Sequence, residues 1–401
     1  MVPESVMKSL SVSTPSRIVL LVMDGLGDVR QKGKTPLEAA RTPHLDLLAA
    51  EATLGLSDPI SSGITPGSGP AHISLFGYDP IRYQIGRGVL EATGIDLKLK
   101  PDDVASRGNF AAMDDGGLIT DRRAGRISTE ENAKLVDLMG SAIREIQGIE
   151  VILRTVKEHR FVAVFRGPGL DDRVSETDPQ VLGKKGLDPA PLAPEARKTA
   201  SVVKEFIARA DSVLRGRHPA NTLLLRGFSA PPTVPQMQEL FKLTPAAIAT
   251  YPMYRGLARL VGMTILPTGE TVEEEFDTLR KNWERFDFFF IHVKKTDSYG
   301  EDWNFPGKVK VIEEVDRCLP RILDLKPDVL AVTGDHSTPC CLSAHSWHPN
   351  PFLLRSPYVR ADETAAFSEA TCVRGGLGRF PAVEAMALML ANALKLEKFG
   401  A

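Results

Sequence analysis

The sequence contains the stretch Val329-Leu330-Ala331-Val332-Thr333-Gly334-Asp335-His336-Ser337-Thr338, in which an apolar run leads directly into a polar pair. The apolar run predicts a buried parallel strand, so Asp335 and His336 fall at its carboxyl end. Sites in open α/β sheets form outside the carboxyl ends of the strands. Carboxylate and imidazole groups bind divalent metals, and His345 follows closely. The stretch therefore predicts a metal site at the edge of a parallel sheet.

Two earlier apolar runs end in a similar way. Arg17–Met23 is followed by Asp24, and Phe286–Val293 is followed by a short polar segment that contains Asp297. Short continuous apolar runs are typical of strands that are buried on both faces of a parallel sheet. Because the carboxyl ends of such strands share one edge of the sheet, we expect the aspartates to lie close together.

Helical patterns alternate with these runs. They lie at Thr42–Leu48, Pro245–Val261, Thr271–Glu284, Lys308–Leu325 and Pro381–Leu394. Further strands are expected at Met263–Leu266 and Phe352–Leu354. Alternation of strand and helix predicts an α/β fold with a doubly wound, mainly parallel sheet.

The region between Leu97 and about Thr244 has a different pattern. Short strand signals separated by turns accompany helical patterns near Glu130–Glu145 and Ala196–Leu214. This combination is typical of an α+β domain with its own core. We therefore expect a discontinuous core domain at 17–98 and 245–401, with a smaller domain inserted at 99–244. The length of 401 residues also favours two domains.

Composition and charge argue against several classes of protein. The formal net charge of −2 disfavours a nucleic-acid binder that relies on bulk positive charge. No apolar run is long enough to span a membrane. Residues 1–16 lack the apolar core of a secretory signal, and the four Cys show no CxxC spacing. We therefore expect a cytoplasmic protein, and a thiolate zinc site at Cys340-Cys341 is the less favoured alternative.

Six side chains near the strand ends are candidate metal ligands. They are Asp24, Asp297, Glu301, Asp335, His336 and His345. Carboxylates gathered at one edge repel one another unless a cation neutralises them, and six ligands suit a pair of ions better than a single ion. Two-metal sites support phosphoryl transfer, and the oxygen-rich set favours Mn²⁺ or Mg²⁺ over Zn²⁺. For each aspartate taken alone, the alternative is a helix cap.

A candidate nucleophile lies in the loop Gly63–Pro70. Ser68 is flanked by Gly67 and Gly69, so its hydroxyl is unobstructed, and a helical pattern follows at Ala71. Helix N-terminal amides favour a bound anion such as phosphate. A serine hydroxyl needs a base or a metal to activate it. The alternative is that Ser68 only caps the helix.

Several motifs in fixed order resemble those of one family, the archaeal-type cofactor-independent phosphoglycerate mutases of the alkaline phosphatase superfamily. The motifs are Val22–Asp28, Gly33–Ala40, Pro66–Ser68, Ala71-His72, Gly77–Pro80, Asp121–Ile127 and Asp335–Pro339. The resemblance extends from about Arg17 to the C-terminus and includes the insert. It implies an alkaline-phosphatase-type core and a mutase that needs no 2,3-bisphosphoglycerate.

The resemblance also implies roles for individual residues. Ser68 would take the phosphoryl group from 3-phosphoglycerate and return it to the 2-hydroxyl of the retained glycerate. One ion would be bound by Asp24, Ser68, Asp335 and His336, and the other by Asp297, Glu301 and His345. The family pattern reads Asp-x-x-x-His where this chain has Asp297 and Glu301, which shifts the expected metal further toward Mn²⁺ or Mg²⁺.

The insert is expected to act as a lid that retains glycerate and excludes water from the phosphoserine. Arginine forks match carboxylate and phosphate groups. The predicted substrate-binding residues are Asp121, Arg122, Arg123, Arg126, His159, Arg160, Lys294 and His72. Alternatives are a solvated surface turn for the arginines and a buried core position for His72.

Two other functions compete with the mutase. A metal-dependent phosphohydrolase or another phosphomutase could use the same metals and the same serine. A binding protein with an inactive metal site is disfavoured, because all six ligand-type residues and Ser68 are present. The substrate is expected to be a small phosphorylated molecule in each enzymatic case.

Overall fold

The computed structural model describes residues 2–400, and the chain divides into two compact units. The first unit runs to Gln84 and resumes at Val234, and the second unit comprises Ile85–Thr233. These divisions differ from the boundaries at residues 99 and 244 that the sequence suggests.

The packing of the flanking segments explains both differences. Val89 and Ala92 lie before residue 99, yet they belong to a buried apolar cluster with Ala105 in the second unit. Phe241 lies before residue 244, but its ring contacts that of Tyr78 in the first unit, with centroids 5.8 Å apart. Each segment therefore follows the core against which its apolar side chains are buried.

The β-strands within residues 2–400 are β1 (Ile18–Met23), β2 (Thr53–Asp58), β3 (Asp103–Met113), β4 (Ile119–Asp121), β5 (Glu145–Ile146), β6 (Ile149–Lys157), β7 (Arg160–Arg166), β8 (Thr222–Ser229), β9 (Pro245–Ala249), β10 (Thr264–Ile265), β11 (Phe288–Val293), β12 (Val329–Thr333), β13 (Asn350–Arg355) and β14 (Gly378–Pro381).

The α-helices are α1 (Glu4–Leu10), α2 (Pro36–Ala39), α3 (Pro43–Ala50), α4 (Ser68–Leu75), α5 (Arg87–Gly94), α6 (Thr129–Ala142), α7 (Arg197–Leu214), α8 (Met237–Leu240), α9 (Pro252–Leu260), α10 (Val272–Asn282), α11 (Lys295–Glu301), α12 (Phe305–Cys318), α13 (Pro320–Leu323), α14 (Glu369–Cys372) and α15 (Ala385–Asn392). Short 3₁₀ helices lie at Ala124–Arg126, Pro194–Ala196, Trp283–Arg285 and Ala382–Glu384. Within the described part of the chain, no helix combines the length and the apolar character needed to cross a membrane.

The first unit is built on one eight-stranded sheet with the order β10-β9-β11-β1-β12-β13-β2-β14. β13 runs antiparallel to both of its neighbours, and the other pairs are parallel. β1 lies between β11 and β12, so that Leu20 is opposite Phe290 on one side and Ala331 on the other. The predicted mainly parallel sheet is confirmed, and the three strands that precede the polar clusters are direct neighbours.

The central strands are apolar throughout because both of their faces are covered. Every residue of β1 is fully buried. Val19, Leu21 and Met23 share one apolar cluster with side chains of α3, α10 and α12. α9 packs on β9 and α15 packs on β12. This arrangement explains why the strand sequences are continuous apolar runs rather than alternating ones.

The predicted helix over Pro245–Val261 is wrong in its first half. Residues Pro245–Ala249 form β9, and the helix begins only at Pro252. Alanine favours helices in isolation, but this alanine-rich segment is fully buried and pairs in parallel with β11, with Ala247 opposite Phe290. Tertiary pairing therefore overrides local propensity, and Pro252 fits the first turn of the helix that follows.

The second unit contains an antiparallel sheet with the order β4-β3-β7-β6-β5, and β8 pairs with the other edge of β3. α6 and α7 contribute to the larger apolar cluster on one face. α5 covers part of the other face. The two long helices correspond to the patterns near residues 130–145 and 196–214, and the α+β character agrees with the sequence.

Candidate active site

The polar residues that follow the central strands come together at the carboxyl edge of the sheet. Asp24 follows β1 directly, Asp297 lies in α11 just after β11, and Asp335 and His336 follow β12. All four are buried. The parallel register of neighbouring strands produces this convergence, as the strand-end pattern predicts.

One group of potential metal ligands consists of Asp24, Asp335 and His336, whose donor atoms all lie within 4.8 Å of one another. His336 Nε2 is 3.3 Å from Asp24 Oδ1 and 3.2 Å from Asp335 Oδ2. Both of these carboxylate oxygens are buried and have no hydrogen-bond partner among the described residues. Buried carboxylate oxygens without partners are costly, so this group fits a divalent cation.

The charges of this group support the same conclusion. Burial raises the pKa of Asp335 well above its ordinary value, and the nearby Asp24 carboxylate raises it further. Burial alone would also raise the pKa of Asp24, but Lys294 and His292 hold it well below its ordinary value. Burial lowers the pKa of His336 well below its usual range, so its imidazole is neutral and keeps a lone pair for a metal.

A second group consists of Asp297, His336 and His345, again with donor atoms within 4.8 Å of one another. His345 Nε2 is 3.6 Å from Asp297 Oδ1. His345 Nδ1 lies 3.0 Å from the Pro66 carbonyl oxygen, which accepts its proton. Nε2 is the ring nitrogen that faces the Asp297 carboxylate. The two groups share His336, and each gathers ligand atoms that could hold a divalent ion.

Thr338 fixes the orientation of ligands in both groups. Its hydroxyl donates to Asp297 Oδ1 at 2.6 Å. The Thr338 hydroxyl oxygen also lies 3.0 Å from His336 Nδ1 and accepts a hydrogen bond from it. His336 Nε2 is then the nitrogen that faces Asp24 and Asp335. Hydrogen bonds of this kind set the tautomer of a metal-binding histidine. Sequence reasoning did not assign Thr338, although it lies two residues after His336.

Glu301 lies at the margin of the second group. It is one helical turn from Asp297 on α11, and its Oε1 is 4.0 Å from His345 Nε2. Its side chain is 54% exposed, and it is not part of either three-residue group. Burial and the charge of Asp297 raise its pKa. A ligand role for Glu301 stays a prediction.

Ser68 lies beside the shared histidine. It is the first residue of α4, and the cap position is occupied by Gly67. The alternative in which Ser68 only caps the helix is therefore wrong. Ser68 Oγ is 3.2 Å from His336 Nε2. The hydroxyl thus reaches the same atom that faces Asp24 and Asp335.

His72 lies behind Ser68. It is fully buried, and its Nδ1 is 2.8 Å from the Ser68 carbonyl oxygen and 3.2 Å from Asp335 Oδ2. Burial and the neighbouring His292 lower its pKa to about 3. The neutral ring donates its Nδ1 proton to the Ser68 carbonyl oxygen. His72 has no surface for a substrate to touch, so its position suits support of the serine rather than the predicted substrate contact.

Lys294 connects the two ligand groups. Its Nζ is 2.9 Å from Asp24 Oδ2 and donates to Asp297 Oδ2 at 2.5 Å. Burial disfavours the charged amine, but the two carboxylates more than compensate and raise its pKa. Lys294 was predicted to bind substrate, and the structure places its ammonium beside both aspartates.

Tyr254 and His292 complete the buried wall and were missed by sequence reasoning. Tyr254 Oη donates to Asp24 Oδ2 at 2.5 Å. Its ring stacks on His292 with centroids 3.7 Å apart. Burial and the Asp24 carboxylate raise the pKa of Tyr254 far above its ordinary value, so the phenol stays a donor. No local motif marks Tyr254, because it reaches the site from α9.

The predicted substrate-binding residues of the insert lie within the second unit and have different environments. Asp121 accepts backbone N–H bonds from Arg123 and Gly125, both at 2.7 Å, and so shapes a turn. Arg122 forms a bidentate pair with Asp178 at 2.8 and 2.7 Å. Arg123 and Arg126 are exposed. The turn therefore presents exposed arginines next to one that has an internal partner.

A second concentration of arginine lies on one face of the antiparallel sheet. Arg107 on β3 is opposite Arg226 on β8, and Asn109 is opposite Arg160 on β7. Residues that are directly opposite, or two apart on one strand, share a face. Burial and Arg160 lower the pKa of His159 to about 4. This arginine face, defined by Arg107, Arg160 and Arg226, suits an anionic ligand.

Comparisons with known proteins identify the family. The sequence model of the family described as "2,3-bisphosphoglycerate-independent phosphoglycerate mutase" matches residues 49–221. A protein of Thermotoga neapolitana named "Probable 2,3-bisphosphoglycerate-independent phosphoglycerate mutase" is 55% identical over 392 residues, which cover 98% of each chain. A protein of Aquifex aeolicus with the same name is 52% identical over 406 residues and covers 99% of this chain and 100% of its own.

Solved structures agree with this result. A protein of Pyrococcus horikoshii is 32% identical with a TM-score of 0.84, and the match covers 97% of this chain and 100% of that one. The cofactor-independent phosphoglycerate mutase of Thermoplasma acidophilum is 30% identical with a TM-score of 0.73, covering 94% and 100% of the two chains. The chain therefore belongs to the 2,3-bisphosphoglycerate-independent phosphoglycerate mutase family.

Proposed function

We propose that this enzyme interconverts 3-phosphoglycerate and 2-phosphoglycerate without 2,3-bisphosphoglycerate. The observation that carries the proposal is the placement of Ser68 Oγ 3.2 Å from His336 Nε2, the atom that also faces Asp24 and Asp335. A serine hydroxyl at a two-metal ligand set suits phosphoryl transfer. Family membership supplies the substrate.

In this proposal, Ser68 attacks the phosphorus of the bound phosphoglycerate. A bond forms between Ser68 Oγ and phosphorus, and the bond from phosphorus to the glycerate oxygen breaks. The leaving oxygen takes up a proton, and the serine proton is transferred to solvent or to a neighbouring base. The other hydroxyl of glycerate then attacks the phosphoserine, which regenerates Ser68 and yields the isomer. No net water is consumed.

The metal centre is proposed to hold two divalent ions. One would be bound by Asp24, Ser68, Asp335 and His336, and the other by Asp297, Glu301 and His345. Carboxylate oxygens dominate this set, which favours Mn²⁺ or Mg²⁺, with Zn²⁺ as the alternative. When bound, such ions lower the pKa of a hydroxyl and offset the charge of the phosphoryl group.

The chain's own residues perform the remaining tasks. His72 holds the backbone of Ser68, Thr338 orients His336 and Asp297, and Lys294 offsets the negative charge of Asp24 and Asp297. Each of these contacts exists between protein atoms before a substrate binds. Such preorganisation reduces the rearrangement needed during the reaction.

Substrate recognition is proposed to use the arginines of the second unit. Phosphoglycerate carries a carboxylate and a phosphate, and guanidinium groups bind both in bidentate fashion. Arg123 and Arg126 are exposed, and Arg160 belongs to the arginine face. These residues favour a doubly anionic substrate, which supports a mutase over a general phosphohydrolase.

The test is an assay of purified protein supplied with Mn²⁺ and 3-phosphoglycerate, with 2,3-bisphosphoglycerate absent. We expect 2-phosphoglycerate to accumulate to an equilibrium mixture, with little free phosphate released. The matched control is the same protein treated with a chelator. Free phosphate without isomer would overturn the mutase and favour the phosphohydrolase.

A further inference from the structure

One lysine outside the ligand groups is completely buried in the first unit. Lys308 lies on α12 and has no exposed surface. Its ammonium donates to Asp28 Oδ2 at 2.9 Å, to the Thr338 carbonyl oxygen at 3.0 Å and to the Gly27 carbonyl oxygen at 3.3 Å. An ammonium has three donors. All three are therefore used, and every acceptor belongs to one of two loops.

The two loops carry the metal ligands. Gly27 and Asp28 follow β1 and lie just after Asp24, and Thr338 follows β12 just after Asp335 and His336. The loops also contact each other directly, because the Thr338 backbone N–H donates to the Gly27 carbonyl at 3.0 Å. Lys308 thus ties together the segments that bring the first ligand group into place.

Asp28 extends this connection. Its Oδ2 accepts the Lys308 ammonium and also the Cys340 backbone N–H at 3.0 Å. Its own backbone N–H donates to Glu369 Oε1 at 3.2 Å. The carboxylate therefore holds the loop beyond Thr338 as well, so a single buried ion pair fixes two points of the same loop.

Thr338 transmits the constraint to both ligand groups. Lys308 donates to the Thr338 carbonyl oxygen. The Thr338 hydroxyl donates to Asp297 and accepts from His336 Nδ1. A shift of this backbone would move the hydroxyl and with it the orientation of both side chains. Interactions behind the ligands tune metal affinity in this way.

We propose that Lys308 is a positioning residue for the two-metal centre. Its ion pair with Asp28 holds the loops after β1 and β12 at the separation that places Asp24, Asp335 and His336 around one ion. Burying a charge is costly unless the charge is fully paired. An apolar side chain could fill the same space without that cost, so the buried ion pair indicates a role beyond packing. The inference rests on the proposed metal centre.

The test compares Lys308→Met with Lys310→Met. Methionine resembles the lysine side chain in length but removes the charge and all three donors. Lys310 lies on the same helix and is exposed, so its variant is the matched control. Mn²⁺ binding is measured by electron paramagnetic resonance on protein whose fold is verified by circular dichroism. We expect Lys308→Met to bind Mn²⁺ about 10- to 100-fold more weakly, and Lys310→Met to match the wild type.

A second readout separates positioning from stability. Excess Mn²⁺ should restore much of the kcat of folded Lys308→Met, because a site with weakened affinity is still occupied at a high Mn²⁺ concentration. A variant that is simply less stable would show normal Mn²⁺ affinity in its folded fraction. Folded Lys308→Met with wild-type Mn²⁺ affinity would overturn the proposal.

A milder variant covers the case in which Lys308→Met does not fold. Asp28→Asn keeps the shape of its partner but weakens the ion pair, and we expect Mn²⁺ affinity to fall several-fold. Wild-type affinity in folded Asp28→Asn would contradict the positioning role. Failure of the wild type to bind Mn²⁺, Mg²⁺ or Zn²⁺ would instead overturn the metal centre on which the inference depends.

Discussion

The carboxyl edge of the first unit's sheet and the arginine face of the second unit collect opposite charges. At the edge, Asp24 and Asp335 each present a buried oxygen that has no hydrogen-bond partner within residues 2–400. On the arginine face, Arg107 and Arg226 lie directly opposite each other across two strands. Arg107 lies 3.9 Å from Glu91, and Arg226 pairs with Glu176 and Asp178, so this face also contains carboxylate partners for its arginines. The carboxyl edge therefore fits a cation, whereas the arginine face is proposed to bind an anion in addition to its protein carboxylates.

The largest expected effect tests the chemistry at the carboxyl edge of the first unit's sheet. Ser68→Ala removes the proposed nucleophile, and we expect kcat to fall by about 10⁴-fold or more, as removal of a nucleophile does in other enzymes. Steady-state kinetics with 3-phosphoglycerate measures the loss. Metal content should stay close to normal because the other proposed ligands remain.

Ser74→Ala is a suitable control for that variant. Ser74 is a buried serine of the same helix that takes no part in either ligand group. Substantial turnover in Ser68→Ala would remove Ser68 as the nucleophile.

An intermediate effect tests the arginine face. Arg160→Met removes one guanidinium from the arginine face, and we expect kcat/KM to fall by about 10- to 100-fold through loss of charge-assisted hydrogen bonds. Arg215 is exposed at the end of α7, a helix that packs on the opposite face of the sheet, and it provides the control, since its replacement by Met should leave kinetics unchanged. An unchanged KM and kcat in Arg160→Met would show that this face does not bind substrate.

The smallest effect concerns Glu301, which lies at the margin of the second ligand group. Glu301→Gln should weaken one of the two ions by about 10-fold, because a partly exposed carboxylate contributes less than the buried ligands. Mn²⁺ titration with stoichiometry is the measurement. Asp302→Asn, at an exposed neighbouring position, should change neither ion. Binding of both ions at low Mn²⁺ by Glu301→Gln would mean that Glu301 is not a ligand.

The ligand-type residues at the carboxyl edge of the sheet could be predicted from sequence because the patterns that mark them are local. Each of β1, β11 and β12 is a continuous apolar run, and each is followed by a ligand-type residue. Parallel pairing of neighbouring strands then places Asp24, Asp297 and Asp335 together without further information. The glycine-flanked loop before a helical pattern indicated Ser68, and motifs in fixed order indicated the family.

The arginine face could not be predicted in the same way. Arg107 and Arg226 are more than a hundred residues apart, and only the register of β3 with β8 makes them neighbours. Tyr254 likewise reaches Asp24 across the fold. β9 was mistaken for helix because its alanine content reflects close packing in a sheet. Sequence patterns describe the periodicity of one segment, whereas these features depend on pairs of distant segments.

The position of β1 has a consequence for how the chain acquires its structure. β1 is made early, but both of its neighbours, β11 and β12, follow the whole second unit in the sequence. During synthesis, one edge of β1 stays without its native partner until residue 293 has emerged from the ribosome, and the other edge until residue 333 has emerged. Such long-range pairing is slow and leaves apolar strand edges exposed. The second unit can meanwhile complete its own antiparallel sheet, so the part of the protein that is encoded in the middle is expected to fold first.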